Sequence, residues 1–320
     1  MPSRLDRNKF DRLTQCNTIN DSIDLLEIYA DSIFCIMTDN QQTKFKKVYD
    51  RDSSTIFQMI FSKILHLRKI INGVNYDGKK NKLRTIIDPT FIAITIRNLI
   101  ETVSTYHLIF AKPKNEEEQL ILYNLWCHAG LEFRSRFDSF ITKEENKVKM
   151  EDEKKQRKEL IEEITSSKLF QSLPEKEKSK IISRIHSKDY KVSIEQNGDN
   201  YKVNILSWQQ VLHSMSLNDL VDHNYTYFSL YAHPSNVSVF QFANLFSEDG
   251  AHLKMTNFNL KNAFIYLSVF LHDYTSYNEK AMESFEKLEL VNQALIDFWQ
   301  ATFRNNEFHI NDSLKRYYES

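Results

Sequence analysis

Only 5 glycines and 5 prolines are spread over 320 residues, and this scarcity constrains the fold more than any other feature. All-β architectures need frequent turns, which draw on Gly and Pro for their special backbone angles. Phosphate-cradling loops need several glycines within a few residues. A chain so poor in both is expected to be mainly α. Its sequence carries no P-loop, dinucleotide fingerprint, EF-hand or kinase signature. An apolar content of 41% is enough for a large core.

Hydrophobic spacing locates the helices. Residues 20–39 and 53–72 repeat apolar side chains near a 3.6-residue period, and the glycine-containing stretch NGVNYDGKKNK after the second reads as a loop. The next helix opens with Asp88 as N-cap and Pro89 in the first turn, where a missing N–H is harmless. Phe91, Ile92, Ile94, Ile96, Leu99, Ile100, Val103, Leu108 and Ile109 surround most of its axis, so it is expected in the middle of a bundle. A further helix starts at Asn115 and runs toward residues 144–163, where 14 side chains are charged. Mixed signs make this a solvated helical arm with i,i+4 ion pairs and not a nucleic-acid tail. A short helix follows near 174–186. Asn197-Gly198, flanked by alternating residues, then marks a β-hairpin. Residues 207–232, 257–276 and 279–303 return to helical spacing. The expected fold is a helical bundle with one inserted β-hairpin. It forms a single elongated domain over 1–320, with 144–186 as a charged arm and 188–206 as a hairpin insertion.

Formal net charge is −1, so no global field draws the chain to nucleic acid or anionic lipid. The 3 cysteines, Cys16, Cys35 and Cys127, lie far apart without CxxC spacing, which fits a reducing cytoplasm better than a disulfide framework or a zinc site. The most apolar stretch, AFIYLSVFL, is about half of the ~20 residues a membrane span needs, and no apolar leader follows the N-terminal charges. No Glu-x-x-His pair occurs, and His128 with Glu132 is a lone two-ligand pair. Neither a metal nor a cofactor is therefore expected.

Two polar clusters stand out. Arg97 and Glu101 sit at i,i+4 on the most apolar of the early helices, with Ser104 on the same face and His107 partly round the cylinder. Burying such a pair is costly unless each charge is satisfied, and on that footing Arg97→Ala should lose about 3–5 kcal/mol. The pair serves either as a structural ion pair or as an anion anchor with Glu101 as its orienter or base. In the second cluster, DHNYTYFSLYAHPSNVS, Tyr227 with Tyr231 and Ser229 with His233 form i,i+4 pairs, and Pro234 ends the helix at His233. Packing of this helix on the first would place Ser229 and His233 beside Arg97 and Glu101 in one polar centre.

The order RNLIE, then SWQQVL, then YFSLYAHPS resembles an uncharacterised bacterial all-helical domain family over residues 80–240. That resemblance implies a shared polar centre of Arg97, Glu101, Tyr227, Ser229 and His233, and supplies no reaction. RNNEFH is similar to the Arg-Asn-x3-His signature of the HEPN superfamily, helical domains that include metal-independent ribonucleases. It implies Arg304 gripping a scissile phosphate and His309 transferring a proton. The leading expectation is a cytoplasmic helical interaction or ligand-binding protein centred on Arg97, Glu101 and His233, with Ser104, His107, Tyr227 and Ser229 as ligand contacts and an unknown protein or a second copy as partner. The alternative is a HEPN-like ribonuclease acting on RNA, as a toxin or phage-defence effector.

Overall fold

The structure, a computed structural model, describes residues 5–45, 47–198, 200–217, 223–233, 235–247, 249–304 and Tyr317. The fold is mainly α. In chain order the elements are α1 (Arg7–Gln15), α2 (Ile19–Asn40), α3 (Val48–Ile70), β1 (Val74–Asp77), β2 (Lys82–Ile86) and α4 (Pro89–Tyr106). A π-helical turn (His107–Ala111) leads to α5 (Glu116–Arg134), a 3-10 turn (Ser135–Phe140), α6 (Glu144–Ser166), α7 (Lys168–Ser172), α8 (Glu175–Ser187), β3 (Val192–Asn197), β4 (Asn200–Ile205) and α9 (Trp208–His213). Last come α10 (Asn224–Ala232), α11 (Asn236–Ser247), α12 (Ala251–Tyr277), α13 (Glu279–Phe285) and α14 (Leu290–Phe303). The chain divides into two compact units. The first comprises Met1–Tyr106 with Met215–Ser320, and the second His107–Ser214.

Local chemistry explains the helix starts. Thr18 and Asp21 close a capping box on α2, with the Asp21 N–H donating to Thr18 Oγ1 at 3.2 Å and the Thr18 N–H donating to Asp21 Oδ2 at 2.9 Å. The two orphan donors of the first turn are thereby satisfied. Asp88 opens α4 as expected, its carboxylate taking the Thr90 N–H at 2.8 Å.

In the first unit the most enclosed helix is α12. It packs against α4, α14, α2 and α13, and its residues 262–271 are buried without a break. Each large apolar side chain so enclosed contributes about 1.5–3 kcal/mol of transfer free energy. Helix α4 lies against α12, α10 and α3 but leaves Phe91 and Ile94 exposed, so it flanks the core instead of occupying its middle. The reason is local: Phe91 and Ile94 project away from the stripe Ile92, Ile96, Leu99, Ile100 and Val103, which a single-sided contact suffices to bury. Tyr29 and Phe264 stack at 5.5 Å, and the Tyr29 and Ser268 hydroxyls hydrogen-bond in the interior.

In the second unit α5 packs against α6, α7 and α8, and the β3–β4 hairpin lies along α8. Residues 144–186 are thus partly docked: Leu160 and Ile164 are buried, and Arg157 pairs with Glu132 at 3.1 Å. The carboxylate of Glu177 receives the Val203 N–H at 2.6 Å and the Lys180 ammonium at 2.7 Å. Those bonds hold its carboxyl below the usual range, the Lys180 bond contributing most.

Three sequence expectations change. The stretch after α3 is a second hairpin, β1 pairing antiparallel with β2, so there are two hairpins among the described residues where one was expected. Gly73 at φ +75° lets the chain pass from α3 into β1, and a Cβ there would meet Thr85 Cγ2 at 2.3 Å. The span 207–232 holds two helices, α9 and α10, with Ser216 at φ 56° between them. The span 279–303 divides into α13 and α14, because the chain must turn at residues 286–289 before α14 can return along α12. The Asn197-Gly198 hairpin forms where expected, with Gly198 at φ 61°.

Candidate functional site

Arg97 and Glu101, one turn apart on α4, pair at 3.3 Å. The third member of the group is Tyr225, near the start of α10. Its hydroxyl accepts from Arg97 Nη2 at 3.1 Å and donates to Glu101 Oε1 at 3.1 Å. The guanidinium also lies 5.2 Å from the centre of the Tyr225 ring, within the range of a cation–π contact. Charge, hydroxyl and ring therefore close a small cycle that fixes where α10 crosses α4. The cycle is only partly covered, the Arg97 and Glu101 side chains being 20% and 33% exposed. Arg97 Nε is buried without a hydrogen-bond partner among the described residues.

The other residues expected at this centre have different employment. His233 caps the C-terminus of α10, eight residues and about 12 Å of helical rise beyond Tyr225. It is exposed, and its ring makes no hydrogen bond among the described residues. Ser229 donates to the Tyr225 carbonyl at 2.6 Å, a bond within its own helix. Tyr227 meets Phe258 and Tyr231 edge-on at 5.6 and 5.5 Å, and burial pushes its phenol well above the ordinary value. Ser104 is buried and donates to the Glu101 carbonyl at 3.2 Å. His107 belongs to the second unit, where its Nε2 meets the Ser214 carbonyl at 2.8 Å. The structure thus joins Arg97 to Glu101 and leaves His233, Ser229 and Tyr227 outside that hydrogen-bonded cycle.

Arg304, the phosphate grip of the ribonuclease alternative, is an interior residue. Its Nη2 donates to Asp273 Oδ1 at 2.8 Å, Nη1 reaches His272 Nδ1 at 3.3 Å, and the Arg304 and Asp273 side chains are only 3% and 4% exposed. His309 lies outside the described residues. Glu132, weighed with His128 as a metal pair, holds Arg157 and Lys188, the latter at 2.8 Å. The Lys188 hydrogen bond is the main cause of its lowered pKa, whereas burial lowers that of His128. Among the described residues no group of three or more His, Cys, Asp and Glu side chains is arranged to hold a metal ion. No helix among them is long and apolar enough to cross a membrane.

A feature absent from the sequence expectations lies on α11. Its 12 residues, NVSVFQFANLFS, contain no charged side chain, and Val237, Val239, Phe240, Phe242 and Phe246 are all exposed. Leu245 alone is buried. A bond from the Tyr231 hydroxyl to Gln241 Oε1 at 2.6 Å and a stack of Phe246 on His252 at 5.7 Å hold the helix in place. Three phenylalanines within seven residues, with no Lys, Arg, Asp or Glu between them, were the available signal. Tyr225 was harder to foresee, because Tyr225 and Tyr227 differ only in which side of α10 they occupy. No family model, no curated protein and no solved structure matches the chain.

Proposed function

We propose that this chain is a helical interaction protein that pairs with a second copy of itself through α11. The carrying observation is the uncharged, outward-facing apolar surface of that helix. A helix apolar nearly all round is normally enclosed, and this one has a single buried residue. Its exposed valines and phenylalanines present about 450 Å² of apolar area, taking about 200 Å² for each aromatic side chain. A standard interface covers about 800 Å² per partner, of which roughly 60% is apolar, so α11 with its polar rim matches one side of such an interface. A second copy suits the charge pattern: two uncharged faces meet across a two-fold axis without like-charge repulsion. A lipid surface suits it poorly, since interfacial helices carry Lys or Arg on the polar face. The setting in this reading is the cytoplasm, in keeping with three cysteines that form no disulfide.

The Arg97–Glu101–Tyr225 cycle then supports α10, the helix next to α11, and acts as architecture. The ribonuclease alternative gains no support from Arg304, whose guanidinium is committed to Asp273 in the interior. Sedimentation equilibrium tests the proposal. The wild type is expected to dimerise at micromolar concentration and Phe240→Asp to remain monomeric with an unchanged circular dichroism spectrum and melting temperature. A wild type that stays monomeric at about 100 μM, weaker than any specific dimer of this area, overturns it.

A further inference from the structure

The second unit carries a cleft that is independent of α11. It has a volume of about 910 Å³, and Lys112, Lys180, Glu195, Ser207, Gln210 and His213 contribute to its lining. That is within the range of small-molecule sites. Lys112 reaches it from the end of the π-helical turn, its N–H donating to the His107 carbonyl at 2.9 Å across five residues. Such turns shift the residue that follows away from its regular helical position and recur at functional sites. The turn is in turn anchored by the contact of His107 Nε2 with the Ser214 carbonyl.

Five lysines of this unit are partly buried: Lys112, Lys154, Lys178, Lys180 and Lys191. Four of them sit on carboxylates, at 2.6, 2.9, 2.7 and 2.7 Å from Glu151, Glu175, Glu177 and Asp189. Lys112 is the exception: its ammonium has neither ion pair nor hydrogen bond among the described residues. Burial pushes its ammonium below the ordinary lysine value, and the charge of Glu195 opposes that shift. A partly desolvated cation with no carboxylate in direct contact is unfavourable, and an anion brought in from solution relieves it. Lys180 is placed by Glu177 and by the Val203 carbonyl at 2.7 Å, so its charge is already balanced. Glu195 is the sole carboxylate among the lining residues and an acceptor for hydroxyl groups.

We infer that this cleft binds a small phosphate ester, with the phosphate seated on Lys112 and a hydroxyl-bearing body directed to Glu195. A lysine ammonium is a point charge well suited to phosphate, and the hydroxyl of Ser207 and the amide of Gln210 supply neutral hydrogen bonds. Titration calorimetry of the full chain with inorganic phosphate and with glycerol 3-phosphate tests this. The expected Kd for glycerol 3-phosphate is on the order of 1 mM or tighter. Lys112→Met should weaken it by about tenfold or more, while Lys112→Arg and the exposed control Lys168→Met keep it. Acylation of wild-type lysines followed by peptide mass spectrometry gives a readout that needs no variant: glycerol 3-phosphate should slow modification of Lys112 severalfold and leave Lys168 unchanged. The inference is overturned if Lys168→Met loses as much affinity as Lys112→Met, if the wild type binds neither probe, or if Lys112 is acylated equally fast with and without ligand.

Discussion

Two arginine–carboxylate pairs in the first unit differ both in how the chain brings them together and in their surroundings. Arg97 and Glu101 sit one turn apart on a single helix, pair at 3.3 Å and keep a fifth to a third of their side-chain surface in contact with water. Asp273 and Arg304 come from two segments, α12 and the end of α14, pair at 2.8 Å and are almost wholly enclosed. The first pair needs only the α4 backbone to bring it together, and Tyr225 then ties it to α10. The second exists only once α14 has folded back along α12. Local spacing therefore finds the pair that contributes less, because what makes an ion pair critical is the loss of its water, and that is set by tertiary packing.

Removing one partner of the enclosed pair should show the largest effect. Asp273→Ala leaves the Arg304 guanidinium buried without its carboxylate, and a loss of about 3–5 kcal/mol is expected from urea unfolding midpoints at constant m-value. The double replacement Asp273→Leu with Arg304→Met removes both charges and should recover most of that loss, because desolvation of the pair offsets much of its attraction. A single-variant loss under about 1 kcal/mol would mean that water reaches Arg304 and would erase the distinction between the pairs.

For the α4 pair the expected loss is smaller. The sequence alone points to about 3–5 kcal/mol for Arg97→Ala, but partial exposure lets Glu101 recover water once its partner is gone. About 1–2 kcal/mol is the expectation from the structure, between an exposed pair and a charge-assisted hydrogen bond. Tyr225→Phe removes the hydroxyl that joins both charges and should cost about 1 kcal/mol. His233→Ala should leave unfolding unchanged, since its ring is exposed and outside the cycle. A His233→Ala loss equal to that of Tyr225→Phe would restore histidine as the third member of the centre.

What the sequence reveals follows the range of the forces involved. Helices α2, α3, α4, α5 and α12 are legible because their apolar periods act within a few residues, as does the Asp88 cap of α4. The β3–β4 hairpin is legible because Asn-Gly specifies its turn. The β1–β2 hairpin is not: β1 is exposed at every position, so no alternation between core and solvent marks it. The break between α9 and α10 escapes for a different reason, since Ser216 adopts a left-handed conformation that no glycine announces. At the candidate site, Arg97 and Glu101 are readable from their i,i+4 spacing. Their partner is not, because choosing Tyr225 over Tyr227 or His233 requires the crossing point of α10 on α4. The aromatic surface of α11 was open to inspection, yet only the structure establishes that packing leaves it uncovered.

The finest distinction between the two pairs is their response to salt. Ions screen charges that water reaches and hardly affect charges sealed from it, with a screening length of about 10 Å at 0.1 M and about 3 Å at 1 M. The Arg97–Glu101 attraction lies near the surface, so the destabilisation caused by Arg97→Ala should shrink by a few tenths of a kcal/mol between 0.05 and about 1 M sodium chloride. The Tyr225→Phe penalty should change less, since a neutral hydroxyl contributes hydrogen bonds and no net charge. The penalty for Asp273→Ala should stay constant across the same range, because solvent ions cannot approach a pair with only 3% and 4% of its side chains exposed. Urea melts of the three variants against wild type at each salt concentration measure all of this, and taking differences cancels the general effect of salt on apolar burial. Equal salt sensitivity of Arg97→Ala and Asp273→Ala would show that the two pairs share one dielectric environment, and depth would then no longer explain why one is expected to be worth several times the other.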